Sequence, residues 1–401
     1  MDKKIKKIIV ITAYPFNQRD YDRFGIECFR TSGFEVEIWD ISTYLHKNFI
    51  DQLILEETVH FKDLRIFKEK YEIINAISSL DKCCIIICLI EYSLRTLFIF
   101  RAISKKQIPY CTLNMASFPS PYPVQDSFIS RIIFTLKKVD LSKINEQLQH
   151  ILNKILLNYY FLFGIAPASI RILGGEKSTG ILSYPANNST IQLWTHMPDY
   201  DIYLQDKTEL NDSCKNTGVF LDEYLPLHPD YLTLGFEFPI APDVYYSKIC
   251  NFFKTLEKNM DTEIVIAAHP RSDYDKLPDY FCGRTIIKGK TAQLVKESSF
   301  VIAHDSTSIN FAILYRKPIV FITTDDLQKL ISGPCAFGLF IPAIASALGK
   351  IPLNIDHTSG FNRDKEMEIN EEAYLRYRNN YIKKTGSPEK PLWEIFCSYL
   401  Q

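Results

Sequence analysis

Short unbroken apolar runs recur along the chain and alternate with stretches whose apolar positions fall at helical spacing. "KIIVITAY" (7–14), "EVEIWDI" (35–41), "CCIIICLI" (83–90), "YCTLNM" (110–115) and "IRILGG" (170–175) show the first pattern, that of strands buried on both faces. "RDYDRFGIECFRTSG", closing on Gly33, and "SLRTLFIFRAISKK" show the second. The richest amphipathic stripe carries Leu141, Ile144, Leu148, Ile151 and Ile155 and runs on through Leu152 to Gly164. The alternation then restarts. "TGVFLDEY" (217–224), "TEIVIAAHP" (262–270), "GRTIIKGK" (283–290), Val301–Ala303 and Ile319–Ile322 predict strands, while "DVYYSKICNFFKTLEKNM" and "TAQLVKESS" predict helices between them.

This β-α-β order predicts an α/β protein with mainly parallel sheets covered on both faces. The restart, after the polar and turn-rich "QDKTELNDSCKN" (205–216), predicts two Rossmann-like lobes facing a cleft. The expected domains are residues 1–210, residues 211–370, and a helical segment 371–401 broken at Gly386-Ser387-Pro388. Chain length agrees: 401 residues exceed the roughly 250–300 at which a single core stops growing.

Composition narrows the class. At 46% hydrophobic and 23% charged residues this is ordinary globular material. A formal net charge of -1 removes the simplest argument for nucleic acid, which calls for a strongly basic face. The ten cysteines include no Cys-x-x-Cys pair, and Cys83, Cys84 and Cys88 fall in a buried strand, so no disulfide framework is expected. The N-terminus is basic and then apolar, but Pro15 interrupts it and the apolar part is only strand length. A reduced, cytoplasmic protein follows. No apolar run approaches the ~20 residues of a membrane span. The long amphipathic stripe is read as core-facing, with peripheral docking at the inner face of the cell membrane left open.

Candidate chemistry gathers in the second half. In open parallel sheets, ligands bind beyond the carboxyl ends of the strands. Three of those ends are polar here: Asp222-Glu223 after "GVFL", His269-Pro270-Arg271 after "EIVIAA", and His304-Asp305-Ser306-Thr307-Ser308 after "FVIA". Each has a plain structural reading. Asp305 or Ser306 can cap the following helix, His269 can serve a turn, and Asp222-Glu223 can be a solvated strand end. Capping, however, does not require that they occur together. A polar strand-to-helix junction also offers hydroxyls and backbone N–H groups, which suit a phosphate.

"IAAHPRSDY", preceded by "FLDEYLP" and followed by "HDSTS" on a strand-to-helix turn, resembles the donor lobe of GT-B glycosyltransferases. The likeness is to bacterial sialyltransferase-like and Kdo-transferase-like enzymes of capsule and lipopolysaccharide synthesis. It covers residues 217–325. Their acidic pair followed by glycine, their His-Pro and their Ser-Ser/Thr motifs match Asp222-Glu223, His269-Pro270 and Ser306-Thr307, with Tyr224 standing where the glycine would be. The opening "FNQRDYDRFGIECFRTSGFEVEIWDIS" also resembles the first lobe of surface-polysaccharide biosynthesis proteins.

The resemblance implies metal-independent transfer of a sugar from a nucleotide-sugar donor to a glycan or glycolipid acceptor. A CMP-activated nonulosonic acid is the favoured donor. It makes Asp222 or Glu223 the base and His269 the donor of a hydrogen bond to the leaving phosphate. Pro270, Asp305, Ser306, Thr307 and Ser308 then shape the phosphate site, and Arg271 and Lys290 are candidates for the donor's charge. Arg19, Asp20 and Arg23 are the polar candidates on the acceptor side. No metal and no separate cofactor are expected, because the Asp-x-Asp triplets at Asp20, Asp199 and Asp273 fall at unrelated places. The alternatives are another nucleotide-sugar enzyme, of epimerase or glycerophosphate-polymer transferase type, and a non-catalytic partner of that fold in a capsule-assembly complex.

Overall fold

The computed structural model describes residues 4–47, 61–115, 118–121, 152–180, 183–206, 216–231, 237–332, 335–357 and 361–401. The chain divides into two compact units: Met1–Ser117 with Tyr122–His196 and Gly386–Gln401, and Phe118–Pro121 with Met197–Thr385. The helix Pro198–Asp206 therefore belongs to the second unit. The C-terminal segment is shared, its helix Glu371–Tyr377 in the second unit and its helix Leu392–Leu400 in the first.

The first unit holds a seven-stranded sheet in the order β3-β2-β1-β4-β5-β6-β7. Its strands are β1 (Lys7–Thr12), β2 (Glu35–Asp40), β3 (Leu64–Ile66), β4 (Cys84–Leu89), β5 (Tyr110–Asn114), β6 (Ile170–Leu173) and β7 (Ile191–Trp194). Every pairing is parallel. The unbroken apolar runs form the middle, where Ile8 to Ile11 and Ile85 to Ile87 lose all contact with solvent. The C-terminal helix closes on this unit through Trp393, which stands so near Gly25 that a Cβ there would fall 2.3 Å from its ring. Gly25 also has φ +67, a second reason for glycine.

The second unit holds a six-stranded parallel sheet in the order β10-β9-β8-β11-β12-β13. The strands are β8 (Thr217–Leu221), β9 (Glu263–Ala268), β10 (Ile286–Lys288), β11 (Phe300–Ala303), β12 (Ile319–Thr323) and β13 (Leu353–Asn354). From β8 the chain winds outward through β9 to β10, then returns to lay β11 on the other side of β8. This reversal is the topological switch point of a doubly wound sheet, where the connections splay apart and leave a crevice. The helix Pro242–Met260 begins with proline at its first position, where a missing N–H costs nothing. It buries Tyr245, Tyr246, Ile249, Phe252, Phe253 and Leu256 in one core with Phe220, Ile264, Ile266, Phe300 and Ile302. Gly218 permits the neighbouring strands to pack across β8, since a Cβ there would lie 2.4 Å from Phe300 and 2.7 Å from Ile264.

The hydrophobic pattern anticipates the central strands of both sheets but not β3, β7 or β13. These three lie at sheet edges, as β10 also does, and are two to four residues long and partly solvated, so they carry no unbroken apolar run. None of the nine described cysteines forms a disulfide. Among the described residues no helix is long and apolar enough to cross a membrane. The amphipathic stripe from Leu141 falls largely outside the described residues; in its described part Leu156 is buried while Leu152, Tyr159, Phe161 and Leu162 are exposed.

Candidate active site

Because β9, β8 and β11 are neighbours, the three polar strand ends of the second unit meet. Asp222, one residue beyond β8, is buried and accepts three hydrogen bonds. Oδ1 receives the Tyr224 N–H at 2.9 Å, and Oδ2 receives the His269 N–H at 3.3 Å and the Tyr274 hydroxyl at 2.9 Å. The Tyr274 hydroxyl lies 2.9 Å from that of Tyr246 on the long helix. Burial outweighs these donors and raises the Asp222 carboxyl to about 6. With three hydrogen bonds accepted and its surface lost, Asp222 braces the ends of β8 and β9.

Glu223 is the more accessible acid. Its Oε1 accepts the Asp305 N–H at 3.1 Å, tying the end of β8 to the end of β11. Its carboxyl also hydrogen-bonds that of Asp305. Two carboxylates cannot share such a bond unless one is protonated, so burial and the Asp305 charge hold Glu223 well above the usual carboxylate range. Asp305 Oδ1 is buried and has no hydrogen-bond partner among the described residues. The two acids titrate as a pair.

Tyr224 follows with φ 55 and ψ 34. The residue that stands in place of glycine thus adopts the left-handed conformation that glycine enters freely and tyrosine rarely does. Its ring is buried edge-to-face on Tyr274, with centroids 5.2 Å apart. The turn that presents the acidic pair is therefore kept without the glycine.

His269 accepts the Arg271 N–H on Nδ1 at 3.2 Å, which leaves the ring proton on Nε2. A second histidine, absent from the sequence-based site, packs on it: His228, whose ring centroid lies 4.8 Å away, edge to face. It occupies the same kind of turn, with its Nδ1 accepting the Asp230 N–H at 3.2 Å. The signal was in the sequence, for "HPD" at 228–230 repeats the His-Pro step of "HPR" at 269–271. The two turns are joined by an ion pair between Arg271 Nη1 and Asp230 Oδ1. Arg271 is thus engaged within the protein. Pro270 is exposed on its turn.

The junction after β11 differs from expectation in one respect. His304 is fully buried; its Nδ1 bonds to the Ile322 carbonyl at 2.8 Å and its Nε2 to the Tyr245 hydroxyl at 3.0 Å, and burial lowers it to about 4. It braces β11, β12 and the long helix as a neutral ring. The N–H groups of Ile309, Asn310 and Phe311 are used in tight turns to the carbonyls of Ser306, Thr307 and Ser308, and the Ser308 N–H bonds to Ser306 Oγ at 3.3 Å. The following helix, Ile309–Leu314, has only six residues. This turn offers the hydroxyls of Ser306, Thr307 and Ser308 rather than the dipole of a long helix. Neither Asp305 nor Ser306 caps the helix, which begins after Ser308 with no side-chain cap.

Lys290 is exposed beyond the edge strand β10 and is not hydrogen-bonded into this cluster. In the first unit, Asp20 is buried in the short helix Gln18–Arg23, with Arg19 at 3.8 Å from its carboxylate. Arg23 is exposed and offers its backbone carbonyl to Trp393. The Asp-x-Asp triplets have separate duties. Asp199 receives the Asn310 amide at 2.8 Å and Asp273 pairs with Lys276 at 2.7 Å. Among the described residues no three His, Cys, Asp or Glu side chains gather as metal ligands.

No protein-family model and no curated protein matches this chain. Solved structures do. The wall teichoic acid polymerase TagF, a histidine-to-asparagine variant soaked with CDPG, matches over 98% of this chain and 88% of its own, at 13% identity and a TM-score of 0.54. UDP-GlcNAc 2-epimerase from Methanocaldococcus jannaschii matches over 98% and 99%, at 12% identity and 0.45. MurG from Acinetobacter baumannii matches over 99% of both chains, at 11% identity and 0.46. The likeness to TagF is one of fold. The chain has the two Rossmann-like α/β units of GT-B proteins, as the alternation of strands and helices led one to expect.

Proposed function

We propose that this chain is a GT-B transferase that moves a group from a nucleotide-activated donor to a hydroxyl of a glycan or glycolipid in bacterial surface-polymer synthesis. One observation carries the reading: at the switch point of the second sheet, a carboxyl pair and an imidazole with its proton on Nε2 come from adjacent strand ends. Transfer to a hydroxyl needs a base and a stabiliser of the departing phosphate, and these groups are of the right kinds. In this reading the ionised member of the Glu223–Asp305 pair takes the acceptor proton. His269 Nε2–H and the hydroxyls of Ser306, Thr307 and Ser308 hold the phosphate as its bond to the transferred group breaks. Asp222 positions His269 by holding its backbone.

The donor is read as a cytidine nucleotide, supported by the motif resemblance and by the fold shared with a polymerase soaked with CDPG. For a CMP-activated nonulosonic acid, Arg271 would have to leave Asp230 to meet the sugar carboxylate. That engagement favours the second reading, transfer from a CDP-activated donor of the glycerophosphate-polymer type. Thermal shift of the purified chain with CMP, CDP, UDP and GDP tests the proposal. Cytidine nucleotides are expected to raise the melting temperature by several degrees near saturation. No shift with any of the four rules out a nucleotide site, and a shift with UDP or GDP alone rules out the cytidine assignment.

A further inference from the structure

Two His-Pro turns pack on one another at the same strand ends, and the transfer chemistry above uses only one of them. In His228-Pro229-Asp230 and His269-Pro270-Arg271 the third residue returns its N–H to the Nδ1 of the histidine, at 3.2 Å in both. An N–H pointing at Nδ1 fixes the tautomer with the proton on Nε2. Each proline leaves its turn without an N–H of its own, so the third residue's N–H closes the bond. The turns are locked together by the Arg271–Asp230 ion pair, which cancels both charges, and by ring contact at 4.8 Å. His228 Nε2 has no partner among the described residues, and its side chain keeps 18% of its exposure. A protein that needed His228 only as filler would gain more from an apolar ring, which has no polar atom to desolvate.

We propose that His228 is a second phosphate-binding residue, so that two neutral imidazole N–H groups grip the phosphate of the nucleotide donor together. This rests on the nucleotide-transferase reading above and adds to it the residue that completes the anion site. Centroids 4.8 Å apart put the two Nε2 atoms no more than about 7 Å from each other, a gap that one phosphate closes by accepting a ~2.8 Å hydrogen bond at each of two oxygens. Neutral donors suit this rim. Asp222, Glu223 and Asp305 already crowd it, and burial outweighs the Asp230 charge to hold His228 below its ordinary value, which favours the uncharged ring. The grip then rests on placed N–H dipoles instead of cations, which a negative surround would otherwise neutralise.

Calorimetric titration of the whole chain with CDP, for the parent, His228→Ala, His228→Gln and His269→Ala, separates the two ideas. Losing a hydrogen bond to a charged oxygen weakens binding by roughly 10- to 100-fold. That loss is expected for both alanine variants, with partial recovery in His228→Gln, whose amide keeps an N–H donor. If His228→Ala binds CDP within about twofold of the parent while His269→Ala does not, this inference is wrong and the transferase reading stands. If the parent binds neither CDP nor CMP, the reading falls and takes this inference with it. Should His228→Ala fail to fold, nitrogen NMR of the parent decides: the His228 Nε2–H resonance is expected to move on saturation with CDP, and an unmoved resonance overturns the proposal.

Discussion

Asp40 in the first unit and Asp222 in the second do the same thing. Asp40, the last residue of β2, accepts the N–H of Ser42, two residues on, at 2.8 Å and that of Phe16, in the loop after neighbouring β1, at 3.1 Å. Asp222, just past β8, accepts the N–H of Tyr224, two residues on, and that of His269, after neighbouring β9. Both are buried, and burial raises both carboxyls. One buried aspartate bracketing two adjacent strand ends is thus a structural device of this chain, used in each parallel sheet. What differs is what the bracket holds out. In the first unit it fixes Phe16 and Ser42. In the second it fixes His269 and leaves Glu223, one residue further on, facing Asp305. The comparison bears on what the motif alone leaves open: Asp222 takes the bracket position that Asp40 takes in the first unit, and in the proposed function the acid available for chemistry is Glu223 with its partner Asp305.

The comparison breaks most visibly in turnover. Glu223→Gln is expected to cost ~10²-fold or more in transfer rate while its unfolding midpoint stays near that of the parent, because the amide still accepts the Asp305 N–H and still donates to the Asp305 carboxylate but removes the titratable proton that the pair shares. Single-turnover transfer from a CDP- or CMP-activated donor, run beside chemical denaturation, reads both. Parental turnover in Glu223→Gln would move the base elsewhere.

Stability is the next reading. Asp222→Ala leaves the Tyr224 and His269 N–H groups and the Tyr274 hydroxyl without this acceptor, and Asp40→Ala does the same to the Phe16 and Ser42 N–H groups and the Ser42 hydroxyl, at about 1–3 kcal/mol for each buried group left unmet. Both variants should lose several kcal/mol. Hydrogen exchange should place the loosening in β8 and β9 for one and in β1 and β2 for the other. Loosening confined to the second unit in both variants would mean that Asp40 is no bracket.

The smallest effect is on pH dependence. A carboxyl raised from 3.8 to about 6 binds more protons folded than unfolded between those values, so its contribution to stability falls as pH rises through that window. His304, lowered from 6.5 to about 4, acts in the opposite direction, and its contribution is lost as pH falls from 6.5 towards 4. In Asp222→Asn only the first contribution disappears. Its stability relative to the parent should therefore improve by about 2 kcal/mol from pH 4.5 to 6.5, the integral of the released proton. Asp40→Asn should change in the same sense. Parallel curves for Asp222→Asn and the parent would mean that this carboxyl titrates normally.

Periodicity determined much of this protein. The interior strands need unbroken apolar residues because both faces are covered, and the helices between them need an apolar stripe, so the two α/β units could be read without coordinates. So could the three polar strand ends, since polar residues directly after a buried strand stand out. Their division of labour could not be read. Asp222 and Glu223 are adjacent acids in sequence, and only the pairing of β8 with β9 on one side and β11 on the other sends one into a bracket and the other to Asp305. His304 reads as part of a polar motif until the packing of Tyr245 and the Ile322 carbonyl makes it a buried brace. His228 stands forty-one residues before His269, and no period links them. Their contact is created by the crossover that returns the chain from β8 to β9. A side chain's neighbours across a sheet depend on strand order, which local sequence does not encode, and in this chain strand order decides which of these polar residues meet.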